Sequence, residues 1–192
     1  GGIETIVAAA IDGGVNMVQL RGSRSNLRQF LADALALRVL TRDAGIPFVI
    51  NDHVDMALAA GADGVHVGQA DMPAPFVRQL LGKDKIVGLS VTRAADLSER
   101  ELSLVDYVGL GPIFPTRSKA DAAPALGLEE FRAIRSRINL PVVAIGGITK
   151  ANAASVIAAQ ADGVAVVSAI CSAVDPGQAA ASLRKCVTEA RS

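Results

Sequence analysis

Three times in this chain a helical pattern gives way to a strand through nearly the same residues. These are Ala62-Asp63-Gly64-Val65, Val105-Asp106-Tyr107-Val108 and Ala161-Asp162-Gly163-Val164. A strand that reopens after each helix is the mark of repeated βα units. Short β-branched runs fall at 15–20, 48–50, 64–67, 86–90, 107–110, 142–145 and 164–167. They are almost continuous in apolar character, as parallel strands buried on both faces should be. Between them, 27–44, 53–60, 74–81, 94–103, 128–138 and 151–159 have helical spacing, with Gly45, Gly61 and Gly82 as stop signals. A last helix is expected over 176–190. The three aspartates at the strand openings read as structural turn residues.

The polar residues choose between an open sheet and a closed barrel. Arg21, Asn51, Asp52, Gln69, Ser90, Thr116 and Ser168 follow the C-terminal ends of different strands. In an eight-stranded βα barrel those ends share one mouth, where the chemistry sits. The expected fold is therefore α/β, a (βα)8 TIM barrel forming a single domain over 1–192. Only seven strands can be counted. The segment 3–11 looks like the helix that follows a first strand, so that strand is apparently missing from this chain. Seven parallel strands leave unpaired backbone edges, which are costly when buried.

Half of the residues are apolar and few are aromatic, which suits an aliphatic core. Net charge is zero and the basic residues stand singly, so there is no electrostatic case for nucleic acid or an acidic membrane surface. Neither a signal peptide nor a long apolar span is visible, which predicts a cytoplasmic protein. Cys171 and Cys186 have apolar neighbours and no CxxC spacing, so both are expected to be buried thiols rather than disulfide or metal ligands.

The chemistry centres on phosphate. In Gly109-Leu110-Gly111-Pro112-Ile113-Phe114-Pro115-Thr116-Arg117-Ser118-Lys119 an apolar run breaks at Gly-Pro into a loop with two hydroxyls and an ammonium. Converging donors on a backbone that permits close approach are what a phosphate needs. Asp52 and Asp71 follow two adjacent strands, an arrangement that suits Mg²⁺, which takes one or two carboxylates and fills its shell with water and phosphate oxygens. The same aspartates are also placed to cap the helices from Val54 and near Pro73, and a capping carboxylate can keep one oxygen free. Arg21 can hold a phosphate through two parallel hydrogen bonds, or form a surface ion pair. Gly146-Gly147 and Val167-Ser168 end the last two strands, where barrels often bind phosphate on backbone N–H groups and a short helix start. His66 reads as a core histidine lining the barrel under its mouth, and His53 as a helix-start residue. A Ser-His-Asp pattern, a catalytic cysteine context and a dinucleotide fingerprint are all absent from the sequence.

From about Val15 to Pro176 these motifs together resemble the thiamine-phosphate synthase family. The carriers are Val18-Gln19-Leu20-Arg21, Ile50-Asn51-Asp52, the run from Ala62 to Pro73, Val87-Gly88-Leu89-Ser90, Tyr107 through Lys119, Val143 through Ile148 and Gly163 through Ile170. The family joins a pyrimidine carried on diphosphate to a thiazole carried on monophosphate and releases pyrophosphate. The resemblance implies that Asp52 and Asp71 hold Mg²⁺. It implies catalytic contacts from Arg21, Ser90 and Lys119, diphosphate binding by Arg21, Asn51 and Lys119, and a substrate contact from Gln19. Thr116, Ser118, Gly147, Val167 and Ser168 would cradle the thiazole phosphate. The implied partners are small phosphorylated molecules, with a homo-oligomer possible. Ser23 stands where the family usually has a lysine, which removes one diphosphate contact unless Arg24 or another base replaces it. Two alternatives remain at this point: a thiazole tautomerase-like isomerase, which needs a positioned base, and a non-catalytic protein that binds phosphorylated ligands.

Overall fold

The computed structural model describes residues 2–22, 24–116 and 123–191. Seven strands form one parallel sheet in chain order: β1 (Val18–Leu20), β2 (Phe48–Asn51), β3 (Gly64–Val67), β4 (Ile86–Val91), β5 (Tyr107–Leu110), β6 (Val142–Ile145) and β7 (Gly163–Ala165). The helices are α1 (Ile3–Asp12), α2 (Leu27–Asp43), α3 (Val54–Ala59), α4 (Ala74–Leu81), α5 (Glu99–Leu102), α6 (Gly127–Arg135), α7 (Ala153–Ala158), α8 (Ser168–Cys171) and α9 (Pro176–Glu189). Because every strand pairs in parallel with the next, all seven C-terminal ends lie on one rim.

Side chains alternate across the sheet, as the two-residue period of a strand requires. Val18, Leu20, Phe48, Ile50, Val65, Val67, Val87 and Leu89 form one buried cluster with Phe30, Ala34 and Leu37 of α2 and Val77 of α4. Val108, Leu110, Val142 and Ala144 form a second with Phe131 of α6, Val156 of α7 and Leu183 of α9. These clusters lie between sheet and helices. The intervening residues Gln19, Asn51, His66, Gly88, Ser90, Tyr107 and Gly109 occupy the other face together with Val49, Ile86, Val143 and Ile145, so that face mixes polar, glycine and aliphatic positions. The central strands are buried on both faces, as their near-continuous apolar character predicts, and the polar exceptions fall on the face turned away from the helices.

That inner face is strongly curled. The Gln19 side chain of β1 hydrogen-bonds Tyr107 of β5. Four strand spacings would put these residues about 19 Å apart in a flat sheet. The curl is barrel-like, but β1 pairs only with β2 and β7 only with β6 among the described residues. The outer layer goes further round: α1 packs against both α2 and α9.

The three repeated aspartates do what the sequence implies. Asp63, Asp106 and Asp162 accept the backbone N–H groups of Phe48, Val87 and Val142 at 2.8, 2.7 and 2.7 Å. Their own N–H groups donate to the carbonyls of those same residues. Each aspartate also takes an arginine from a preceding helix: Arg38, Arg78 and Arg135, at 3.1, 2.8 and 3.0 Å. Three strand pairs are thus stapled at the rim opposite the polar one.

Four expectations need correction. The first strand starts at Val18, not Val15, because the Val15 N–H is taken by Ala10 O at the end of α1. The helix expected over 94–103 breaks in two. Asp96 accepts the Thr92 N–H and hydroxyl and the Arg93 Nε, closing a one-turn 3₁₀ helix (Ala94–Asp96), and Leu97 is extended before α5 begins. The last strand ends at Ala165, leaving Val167 outside it. The cysteines are not buried: Cys171 is exposed at the end of the four-residue α8, and Cys186 is half-buried on α9.

Candidate active site at the C-terminal rim

β2 ends at Asn51, and its ladder to β3 is carried one step further by Asp52, whose N–H donates to His66 O at 2.8 Å. Asp52 adopts a positive φ of 62°. For a residue other than glycine this is uncommon, and aspartate is among the few that tolerate it. The turn tightens with the His53 N–H donating to Asn51 O at 2.7 Å. Neither carboxylate caps a helix: α3 begins behind His53 and α4 behind Pro73, with no side-chain cap at either. Instead Asp71 Oδ2 accepts the Gly68 N–H at 2.7 Å, folding the loop after β3 back on itself.

This geometry sets Asp52 against Asp71, two carboxyls within hydrogen-bonding reach. Burial, the hydrogen bond from Asp71 and its negative charge push the Asp52 carboxyl up to about 6, against the opposing pull of Arg21 and His53. Like charges held this close share a proton or a cation. Arg21 follows β1 and is exposed, with its charge directed at this pair. His53 is buried edge-on against Phe30, 5.3 Å between ring centres, with Nε2 3.4 Å from Gly22 O.

Beneath the acids runs a chain of polar groups. His66 Nδ1 lies 2.9 Å from the Tyr107 hydroxyl and His66 Nε2 lies 2.8 Å from Ser90 Oγ. Gln69 Nε2 donates to Ser90 O at 2.8 Å. Ser90 lies inside β4 rather than beyond it. Burial holds His66 down to about 4 and pushes the Tyr107 phenol well above its ordinary value. Both groups are therefore neutral near pH 7.

The opposite side of the rim is backbone. Phe114 N–H donates to Gly146 O at 3.1 Å, stitching the loop after β5 to the end of β6. Gly147 has a φ of 68°, and a Cβ there would come within 2.7 Å of Pro115 O, so the close approach of the two loops depends on glycine. Asn152 Nδ2 donates to Gly147 O and Asn152 Oδ1 accepts the Thr149 N–H, bracing the turn. Thr116 is brought to this side, while Val167 and Ser168 are exposed at the start of α8. Ser23, Ser118 and Lys119, and the segment 117–122 of the expected phosphate loop, lie outside the described residues.

Arg21, Asn51, Asp52, Asp71 and Ser90 therefore share one side of the rim and Thr116, Gly147, Val167 and Ser168 the other. Sequence reasoning missed Tyr107 as a site residue. Its signal was alternation: Gly88, Tyr107 and Gly109 fall in the same inward register as His66.

The family model described as "Thiamine monophosphate synthase" matches residues 2–170. The chain belongs to this family. It is 48% identical to thiamine-phosphate synthase of Moorella thermoacetica over 97% of this chain and 89% of that one. It is 52% identical to thiamine-phosphate synthase of Laribacter hongkongensis over 91% and 82%. Among solved structures, thiamine phosphate pyrophosphorylase from Pyrococcus furiosus superposes with a TM-score of 0.90 at 37% identity, over 100% of this chain and 92% of that chain. A 3-hexulose-6-phosphate synthase at a TM-score of 0.69 and 20% identity shares the fold alone.

Proposed function

We propose that this chain is a thiamine-phosphate synthase: it condenses 4-amino-2-methyl-5-(diphosphooxymethyl)pyrimidine with a thiazole phosphate, giving thiamine phosphate and pyrophosphate. Family membership and the superposition on thiamine phosphate pyrophosphorylase support it. The observation that carries it into chemistry is the Asp52–Asp71 pair, freed from capping and set in mutual conflict.

The residues present fit Mg²⁺. No group of three or more His, Cys, Asp or Glu ligands exists among the described residues, which disfavours an all-protein cage. Two carboxylates leave room for the water and phosphate oxygens that Mg²⁺ prefers. When bound, the ion would neutralise a departing diphosphate. Arg21 and Asn51 would bind that diphosphate from the same side, joined by Lys119, with Ser90 donating a hydrogen bond to it and Gln19 contacting the pyrimidine. Thr116, Gly147, Val167, Ser168 and Ser118 would hold the thiazole phosphate opposite.

Cleavage at the pyrimidine methylene leaves a cation that the aminopyrimidine ring delocalises. The protein then has to stabilise the leaving anion and aim the thiazole nitrogen at the methylene carbon. No general base is required. His66 is buried with its ring nitrogens against Tyr107 and Ser90 rather than open to a substrate, which disfavours it as the base a tautomerase would need. The eighth strand of a complete TIM barrel would sit between β1 and β7. Single-domain organisation and a cytoplasmic setting accord with this role; no described helix is long and apolar enough to cross a membrane.

The test supplies both phosphorylated substrates with Mg²⁺ and follows pyrophosphate and thiamine phosphate together. Equal, coupled yields are expected. Pyrophosphate without thiamine phosphate, or thiazole isomerisation alone, would overturn the assignment.

A further inference from the structure

The turn that leaves β6 is pinned at two successive carbonyls. Gly146 O accepts the Phe114 N–H at 3.1 Å, and Gly147 O accepts Asn152 Nδ2 at 3.0 Å. In a trans peptide the C=O and N–H of one plane point in opposite directions. Fixing these two carbonyls therefore fixes the N–H groups of Gly147 and Ile148. Both glycines have positive φ, 86° and 68°. Successive N–H groups in such turns form a concavity for an anion. Neither N–H has an acceptor among the described residues. Ile148 is only 4% exposed, and a buried backbone N–H without a partner is rare and costly. The Gly147 carbonyl is turned to Asn152 at the head of α7, so the Ile148 N–H faces away from that helix, toward the inside of the rim.

Asn152 immediately precedes α7, yet its side chain does not cap it. It reaches back over the turn instead, with Oδ1 accepting the Thr149 N–H at 2.8 Å while Nδ2 donates to Gly147 O. Both partners are backbone groups, one only a donor and the other only an acceptor, so a single orientation of the amide satisfies them. Aspartates perform the accepting half of this task elsewhere on the rim: Asp71 accepts the Gly68 N–H and Asp96 the Thr92 N–H. At position 152 a carboxylate would have no proton for the Gly147 carbonyl and would set a negative charge against the turn.

We propose that Asn152 is a positioning residue: by holding the Gly147 carbonyl it aims the Ile148 N–H, beside that of Gly147, as a second backbone donor to the thiazole phosphate. A phosphate oxygen supplies the acceptor that the Ile148 N–H lacks. The amide is needed rather than the acid, because only the amide can donate to Gly147 O without repelling the anion. This inference rests on the thiazole phosphate subsite proposed above.

The experiment titrates thiazole phosphate into the intact chain in the presence of Mg²⁺ and pyrophosphate, by calorimetry and by ¹H–¹⁵N NMR. The Ile148 amide proton should move downfield as the phosphate binds. Asn152→Ala should bind thiazole phosphate roughly tenfold more weakly, the effect of one misplaced hydrogen bond to a charged group. Asn152→Asp should bind it more weakly still, yet melt no lower than Asn152→Ala, because it keeps an acceptor for the Thr149 N–H. Pyrophosphate binding, on the other side of the rim, should stay within about twofold of the native chain in both variants. A purely structural role would rank binding and melting temperature alike. That ranking, an equal loss of pyrophosphate binding, thiazole phosphate affinity within about twofold of native in both variants, or an unmoved Ile148 signal in a chain that binds would each overturn the proposal. A native chain that binds no thiazole phosphate would instead bring down the phosphate subsite itself, and this inference with it.

Discussion

The two rims of the sheet use the same residue in opposite ways. At the N-terminal rim, Asp63, Asp106 and Asp162 each accept a backbone N–H and an arginine, so every charge has its partner. At the C-terminal rim, Asp52 and Asp71 face each other and raise the proton affinity of Asp52. An aspartate that satisfies the backbone builds the fold. An aspartate held against another aspartate stores an electrostatic conflict that a cation relieves. The first arrangement should register in stability and the second in turnover.

Mutations can break or sharpen that contrast. The largest effect is expected from Asp52→Ala or Asp71→Ala, which should lower turnover at least about a hundredfold, the scale of losing one stabilising group beside a developing anion. The melting temperature of the metal-free protein near pH 8 should not fall in either variant, and a large fall would erase the distinction between the rims. Asp106→Ala should do the reverse. It strips the Val87 N–H and Arg78 of a partner and should cost about 1–3 kcal/mol in denaturant unfolding, with kcat within about twofold of the native chain.

The pH dependence separates the rims again. The folded carboxyl of Asp52 titrates above its ordinary 3.8, at about 6. Between those values the native state binds more protons than the unfolded chain. Stability from this pair is therefore greatest at low pH and is lost as pH rises through about 6. Melting curves of the metal-free protein should show this loss, and Asp52→Asn should remove it. A smaller effect is expected from Ser118→Ala, a several-fold rise in KM for the thiazole phosphate in steady-state assays.

Much of this contrast was legible in the sequence. The three echoes before β3, β5 and β7 announced the staples, because a turn aspartate acts within its own neighbourhood. The rim residues were found from their places after strands. The Tyr107–Gln19 contact was not, since it joins strands four apart and exists only once the sheet curls. The split at Leu97 was also hidden, because Asp96 closes its turn through side-chain bonds that compete with helix continuation. Cys171 was misplaced for a related reason: apolar neighbours in sequence do not bury a residue on a four-residue helix at the open edge.

The most direct test of the account is Mg²⁺ binding by calorimetry at pH 6 in two buffers of different ionisation enthalpy, which counts protons released. Binding with net proton release from the native chain, lost in both Asp52→Ala and Asp71→Ala, is the predicted result. Binding that survives either substitution, or that releases no proton, would contradict the claim that these two carboxyls form the cation site.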